Sequence, residues 1–365
     1  MKIVATIGIF FMRLIYFFMK LLKTKNKIVF ISRQSDKLSL DLSLLKNELE
    51  DKDIELVFIN KKVKKDFISV FKSIFIMLKQ MYHLATSKVC VIDGYNITVS
   101  VLKHKKSLKV IQIWHSLGAI KKFGYQSLNT PKQKEIARVM HMHENYDYII
   151  SGSLAMTKYF SKAFNYPKSK FYSLGLPRID YILNTEKENK KKVYSNYPEF
   201  KNRMIILYVP TFRDNNDYQI NELINAIDLK KYILIIKVHP NMDYKIDKKK
   251  NVYTCDDISS LDLLSVSNYV ITDYSAISIE AAIIDKPIYL YVYDYDDYKK
   301  NPGINTDLYK DLKGCVFKDP NELFDKLDNS KYDMNVLKRY KNKYVCNTKG
   351  TVTKNITEFI LEKVR

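Results

Sequence analysis

Two histidines occupy equivalent places in this chain: His115 ends the apolar run KVIQIW, and His239 ends YILIIKV just before Pro240. An imidazole titrates near neutral pH, so a histidine at the end of a strand can take a proton from a hydroxyl or give one back. Other reactive groups sit in matching positions. Thr211 and Arg213 follow MIILYVP, Lys237 stands two residues before His239, and Thr272, Asp273, Ser275 and Ser278 lead from NYVIT into the helical run IEAAII. Cations, hydroxyls and the unsatisfied N–H groups of a helix start suit a phosphate or pyrophosphate. Each residue alone also has a structural reading: a histidine packs, an arginine is solvated, and Asp273 or Ser275 caps the helix. Their shared location favours chemistry, because open α/β sheets gather ligand groups beyond the carboxyl ends of their strands.

The elements that would position them alternate. KIVFIS (27–32), ELVFIN (55–60), KVCVID (88–93), KVIQIW (109–114) and YDYIIS (146–151) read as strands separated by segments of helical spacing. A second series follows, with MIILYVP (204–210), YILIIKVHP (232–240), NVYTC (251–255), NYVITD (268–273) and PIYLYVY (287–293). Such alternation predicts parallel sheets covered by helices, hence an α/β chain of two Rossmann-like, doubly wound domains facing a central cleft. The charged stretch 184–203 has no apolar period and reads as the linker. The expected divisions are 1–26, 27–195 for an acceptor-side domain, and 196–365 for a donor-side domain. The stretch 294–313 reads as an irregular loop around Pro302 and Gly303, and the tail from Asn321 as helices.

Lys+Arg exceed Asp+Glu by 61 to 40, a formal net charge of +21, which points to polyanionic partners: nucleic acid, an anionic bilayer or phosphorylated substrates. The amino terminus narrows this. In MKIVATIGIFFMRLIYFFMKLLKTKNK, Lys2, Thr6, Arg13 and Lys20 share one narrow face of a helix, and apolar residues occupy the rest. Arg13 is costly at mid-bilayer and no cleavage site is evident, so the reading is an in-plane amphipathic helix, with a spanning or a buried helix as alternatives. Its lysines would meet an anionic membrane surface, with the bulk of the chain on the cytoplasmic side.

Several classes are excluded or disfavoured. Cys90, Cys255, Cys315 and Cys346 lack paired spacing, and His141 and His143 in MHMHEN are not spaced as ligands, so no metal site is expected. Neither GxxxxGK[ST] nor GxGxxG occurs, and no cofactor is expected. No recognisable nucleic-acid module interleaves aromatic and basic residues, so nucleic acid is not expected as a partner.

Taken in order, IWHSLGAIKKFGY, GLPRIDYIL, YVPTFRDN, KVHPN and ITDYSAISIEAAIIDKPIYLYVYDYDDY resemble the CDP-glycerol glycerophosphotransferase family, the teichoic acid primases and polymerases, over about Leu84 to Gly303. The resemblance implies a GT-B fold and a peripheral enzyme on the cytoplasmic face of the cell membrane. Such an enzyme moves glycerol phosphate or ribitol phosphate from CDP-glycerol or CDP-ribitol to an undecaprenyl-diphosphate-linked acceptor in teichoic acid or capsule synthesis, releasing CMP. It makes His115 and His239 the catalytic candidates, with His115 as general base. By the same resemblance Arg213, His239, Thr272, Ser275 and Ser278 hold the pyrophosphate, with Thr211, Lys237 and Asp273 beside them and Glu280 toward the ribose. Lys121, Lys122, Arg178 and Asp180 become acceptor-side candidates. Ser116 stands where the family carries glycine and Ala276 where it carries serine, and these departures bear on which polyol is bound. The alternative reading is a GT-B glycosyltransferase using a nucleotide sugar. A third is a basic protein that binds anionic lipid or polymer without catalysis.

Overall fold

β-Strand β1 (Lys27–Ser32) is buried at every position, as expected of a central strand covered on both faces. In the computed structural model, which describes residues 2–61, 67–213, 219–238, 246, 249–346 and 349–364 and only the backbone of 67–72, it belongs to a parallel six-stranded sheet. The spatial order is β2-β1-β3-β4-β5-β6, with β2 at Glu55–Asn60, β3 at Val89–Ile92, β4 at Lys109–Gln112, β5 at Tyr148–Ile150 and β6 at Phe171–Tyr172. A second parallel sheet has the order β12-β11-β10-β7-β8-β9, from β7 (Met204–Val209), β8 (Tyr232–Ile236), β9 (Val252–Tyr253), β10 (Tyr269–Thr272), β11 (Ile288–Tyr291) and β12 (Val316–Phe317). In each sheet the order reverses beside the first strand of the series, the signature of doubly wound architecture.

The chain forms two units, each built on one sheet. The first comprises Met1–Ser116, Phe123–Arg178 and Thr351–Arg365, and the second Leu117–Lys122 and Ile179–Gly350. The units are therefore interleaved in sequence. The six residues after Ser116 belong with the second sheet, and the carboxyl-terminal helix Val352–Val364 packs against α2 (Leu40–Leu49) of the first.

The stretch expected to be a linker is helical up to Asn196: helix Arg178–Asn196 runs through it and buries Ile179, Ile182, Asn189 and Val193. The loop expected around Pro302 is also more ordered than its composition suggests. Lys121 pairs with Ile304 in an antiparallel bridge, Lys122 N–H donates to the Gly303 carbonyl at 2.8 Å, and Asn305 Nδ2 donates to the Ala119 carbonyl at 3.0 Å. Gly303 has φ +94°, and a Cβ there would lie 2.8 Å from the Lys122 side chain, so this close approach requires glycine.

Helix α1 (Lys2–Met19) lies on the first unit, against α3 (Phe67–Thr86) and the helix Pro131–Val139. Only Ile9 and Tyr16 are buried, and Ile3, Phe10, Phe18 and Leu21 are 74%, 62%, 60% and 78% exposed. Three polar groups tie it to the surface of the unit. Arg13 Nε donates to the Val101 carbonyl at 2.9 Å, Tyr16 Oη lies 2.9 Å from His104 Nδ1, and Lys2 pairs with Glu135 at 2.6 Å. With Arg13 and Tyr16 bonded to the unit, most of the apolar surface of α1 faces outward, unlike that of an ordinary surface helix.

Candidate active site

His115 lies three residues beyond β4, in a turn the sequence strains deliberately. Trp114 adopts φ +57°, a left-handed backbone rare for an aromatic residue, and its N–H donates to Gln112 Oε1 at 2.8 Å. The indole stacks on Phe123 with centroids 4.7 Å apart and meets Phe164 edge-on at 5.1 Å, so it acts as a wall. The His115 imidazole lies against it too, at 4.2 Å.

The ring is oriented by backbone. His115 Nδ1 lies 2.8 Å from the Asp93 carbonyl oxygen, which can only accept, so Nδ1 carries the proton and Nε2 the lone pair. Gln34 Nε2 also lies 3.1 Å from this nitrogen; being a donor itself, it touches the protonated Nδ1 without bonding to it, and the Asp93 carbonyl alone sets the tautomer. His115's own carbonyl accepts from Arg178 Nη2 at 3.1 Å, and Arg178 is fixed by Asp41, which takes its backbone N–H at 2.8 Å and its Nε at 3.0 Å. A tautomer fixed in this way is what a general base requires.

The carboxylate of Asp93 is 2% exposed; Oδ2 accepts from Ser32 Oγ at 2.8 Å, while Oδ1 is buried without a partner among the described residues. Burial pushes its pKa up to about 6, against the hydrogen bond from Ser32.

In the second unit, Asp273 collects the groups that follow β7. It accepts from Thr211 N–H at 2.9 Å, from Thr211 Oγ1 and from Arg213 Nη1 at 2.8 Å. Arg213 also pairs with Asp294 at 2.7 Å and lies under the ring of Tyr293 at 4.7 Å. Burial alone would lower the pKa of the guanidinium, but Asp294 and Asp273 more than offset this and raise it. Thr211, Arg213 and Asp273 thus form one ion-paired hub, in which Asp273 does not cap the following helix. That helix, Ile277–Ile283, begins after Ala276, with Ser275 Oγ 3.4 Å from Ile277 N.

Several hydroxyl protons are committed inside the unit. Thr272 Oγ1 donates to the Val209 carbonyl at 2.6 Å, and Ser278 Oγ donates to the Ser275 carbonyl at 2.9 Å while meeting Tyr340 Oη at 2.9 Å. Ser275 Oγ, by contrast, accepts from Ile277 N–H and so keeps its own proton to donate. Lys237 Nζ donates to the Cys255 carbonyl at 2.9 Å, Glu280 is buried on the helix, and Asp180 is buried in the first turn of Arg178–Asn196. Lys121 and Lys122, expected on the acceptor side, group with the second sheet. Lys121 stays solvent-accessible as a residue, yet its ammonium is crowded enough that desolvation lowers its pKa, with Asp273 opposing and Arg213 adding to the effect. His239 lies outside the described residues.

Sequence reasoning did not find Asp93, Gln34, Asp41 or Asp294. Asp93 carried a usable signal, a carboxylate directly ending KVCVI; the others become visible only once the strands are ordered.

The sequence pattern of the CDP-glycerol:poly(glycerophosphate) glycerophosphotransferases matches residues 13–362. The teichoic acid ribitol-phosphate primase of Bacillus spizizenii is 28% identical over 92% of this chain and 90% of its own length. The teichoic acid glycerol-phosphate primase of Bacillus subtilis is 31% identical over 78% of this chain and 76% of its own. Among solved structures, a variant of the wall teichoic acid polymerase TagF superposes with a TM-score of 0.77 at 17% identity, covering 100% of this chain and 97% of that one, so the fold is of the same GT-B type. With a match running from within α1 to the last helix, the chain belongs to the CDP-glycerol:poly(glycerophosphate) glycerophosphotransferase family.

Proposed function

We propose that the protein transfers a polyol phosphate, glycerol phosphate or ribitol phosphate, from a CDP-linked donor to a hydroxyl of a lipid-linked acceptor, working peripherally at the cytoplasmic face of the membrane. The observation that carries the mechanism is the bond from His115 Nδ1 to the Asp93 carbonyl. With the lone pair on Nε2, His115 takes the acceptor hydroxyl proton as the oxygen attacks the distal phosphorus of the donor. The new P–O bond forms as the bond to the bridging oxygen breaks, and that oxygen leaves on CMP. No covalent enzyme intermediate is needed.

Phosphoryl transfer depends most on neutralising charge around the phosphates. The second unit supports this role unevenly. The charge of Arg213 is already matched by Asp273 and Asp294, so it shapes the loops after β7 and β10 and contributes little net charge. Ser275, Lys237 and Lys121 are better placed by chemistry to meet the donor phosphates, with His239 beside Lys237 in sequence. Membrane association is supported by the outward apolar face of α1, long and apolar enough to cross a bilayer yet held to the unit through Arg13 and Tyr16.

The test is CMP release by purified protein supplied with CDP-glycerol or CDP-ribitol and a lipid-linked acceptor. Turnover with a cytidine donor is expected; turnover confined to nucleotide sugars would sink the reading.

A further inference from the structure

The first unit holds a cavity lined by none of the residues assigned above. It has a volume of about 200 Å³ and lies between α3 and the loop after β3. Ile76 and Met77 of α3, Ile97 and Met140 make its walls apolar, and Arg33 and Lys61, each directly after its strand, bring two cations to it. Arg33 is unusual. Its Nε is buried with no hydrogen-bond partner among the described residues, and its Nη1 reaches only the Tyr95 carbonyl, at 3.4 Å. A buried guanidinium N–H with nothing to donate to is costly unless a ligand oxygen completes it. Lys61 pairs with Asp36 at 3.2 Å, the one ion pair it makes among the described residues, and an ammonium carries three N–H donors.

Two neighbours say what such a ligand would be. On one side, α3 exposes Ile74 and Phe75, at 44% and 72%, and packs beside α1 with its outward apolar face. On the other, Gln34, the residue after Arg33, touches the His115 imidazole at 3.1 Å. We infer that this cavity binds the acceptor: the chain of an amphiphile enters along α3, and its phosphate or diphosphate head is held by Arg33 and Lys61, which leads its hydroxyl-bearing part toward His115. This rests on the transferase reading above.

The test uses full-length protein in detergent, with geranyl diphosphate as probe and CDP-glycerol as a separate ligand. Binding of geranyl diphosphate is expected, at least about tenfold weaker in Arg33→Gln and in the cavity-filling Met77→Trp, with CDP-glycerol affinity unchanged in both. Inorganic pyrophosphate and geraniol, each carrying half of the chemistry, should bind at least about tenfold more weakly than the probe. Equal affinity in wild type and both variants would overturn the site, as would full competition by phosphatidylglycerol, which would mark a headgroup pocket. Failure of CDP-glycerol to bind the wild type would instead count against the transferase reading, so the two failures are distinct. A melting temperature of Arg33→Gln matching wild type shows that the loss is not unfolding.

Discussion

His115 Nδ1 and the carbonyl oxygen of Asp93 lie 2.8 Å apart, so the tautomer of the candidate base is set by main chain rather than by a carboxylate. A backbone acceptor fixes the ring and its tautomer, leaving Nε2 as the nitrogen that takes the proton. His115→Ala should therefore lower kcat for CMP release by about 10²–10⁴-fold while leaving the affinity for CDP-glycerol within about threefold. Unchanged turnover in that variant would remove His115 from the chemistry and favour a non-catalytic binding protein.

The side chain of Asp93 makes a separate prediction, about stability. Its pKa is raised from 3.8 to about 6 by burial, so between those values the unfolded chain releases a proton that the native state retains. Stability contributed by this residue is then full below about pH 4 and falls as pH rises to about 6, by roughly 2–4 kcal/mol in all. Asp93→Asn keeps the backbone carbonyl and removes the titration. Urea unfolding at pH 4 and pH 7 should show wild type losing stability relative to Asp93→Asn across that interval, and parallel profiles would contradict the assignment.

Arg213 separates an architectural role from a clamp. Its guanidinium bridges Asp273, whose side chain is wholly buried, and Asp294, so truncation leaves buried charge without its partner. Arg213→Ala should cost about 3–5 kcal/mol, seen as a drop in melting temperature of roughly 10 °C. Lys237→Ala, which loses one bond to the Cys255 carbonyl, should shift it by only a degree or two. A phosphate clamp with no structural duty would show the opposite, lost turnover at unchanged melting temperature in Arg213→Ala.

The legible parts of the fold were those where burial writes itself as composition. KIVFIS and YILII are apolar enough to be recognised as central strands, and their order of alternation implied both sheets. Helix Arg178–Asn196 was hidden because its buried stripe includes Asn189, which is satisfied locally by the Thr185 hydroxyl and so breaks the apolar period. The two-residue edge strands Phe171–Tyr172 and Val316–Phe317 are too short to show any period. At the site, residue types at strand ends could be read, but partners could not. Asp41 finds Arg178 across 137 positions, and Asp294 finds Arg213 across 81, pairings that exist only once the strands are ordered.

Helix α1 offers the sharpest test of membrane attachment, because its contacts argue against a transmembrane placement. To span a bilayer it would leave the surface of the first unit, and the Arg13 guanidinium would give up the Val101 carbonyl and His141 for hydrocarbon, a change that insertion scales place at about 2.5–3.5 kcal/mol for the arginine alone. Lying in the plane, it keeps those bonds and buries Phe10, Phe11, Phe17 and Phe18, all more than half exposed, among the acyl chains. Serine at Phe10 and Phe17 should weaken co-sedimentation with phosphatidylglycerol liposomes by at least about tenfold, since each ring contributes on the order of 1.5–3 kcal/mol of apolar burial. CMP release with a water-soluble acceptor analogue should stay unchanged in the same variant. Alkaline carbonate distinguishes the two placements: an in-plane helix is stripped from the membrane, and a chain that stays in the pellet after extraction would show that α1 spans.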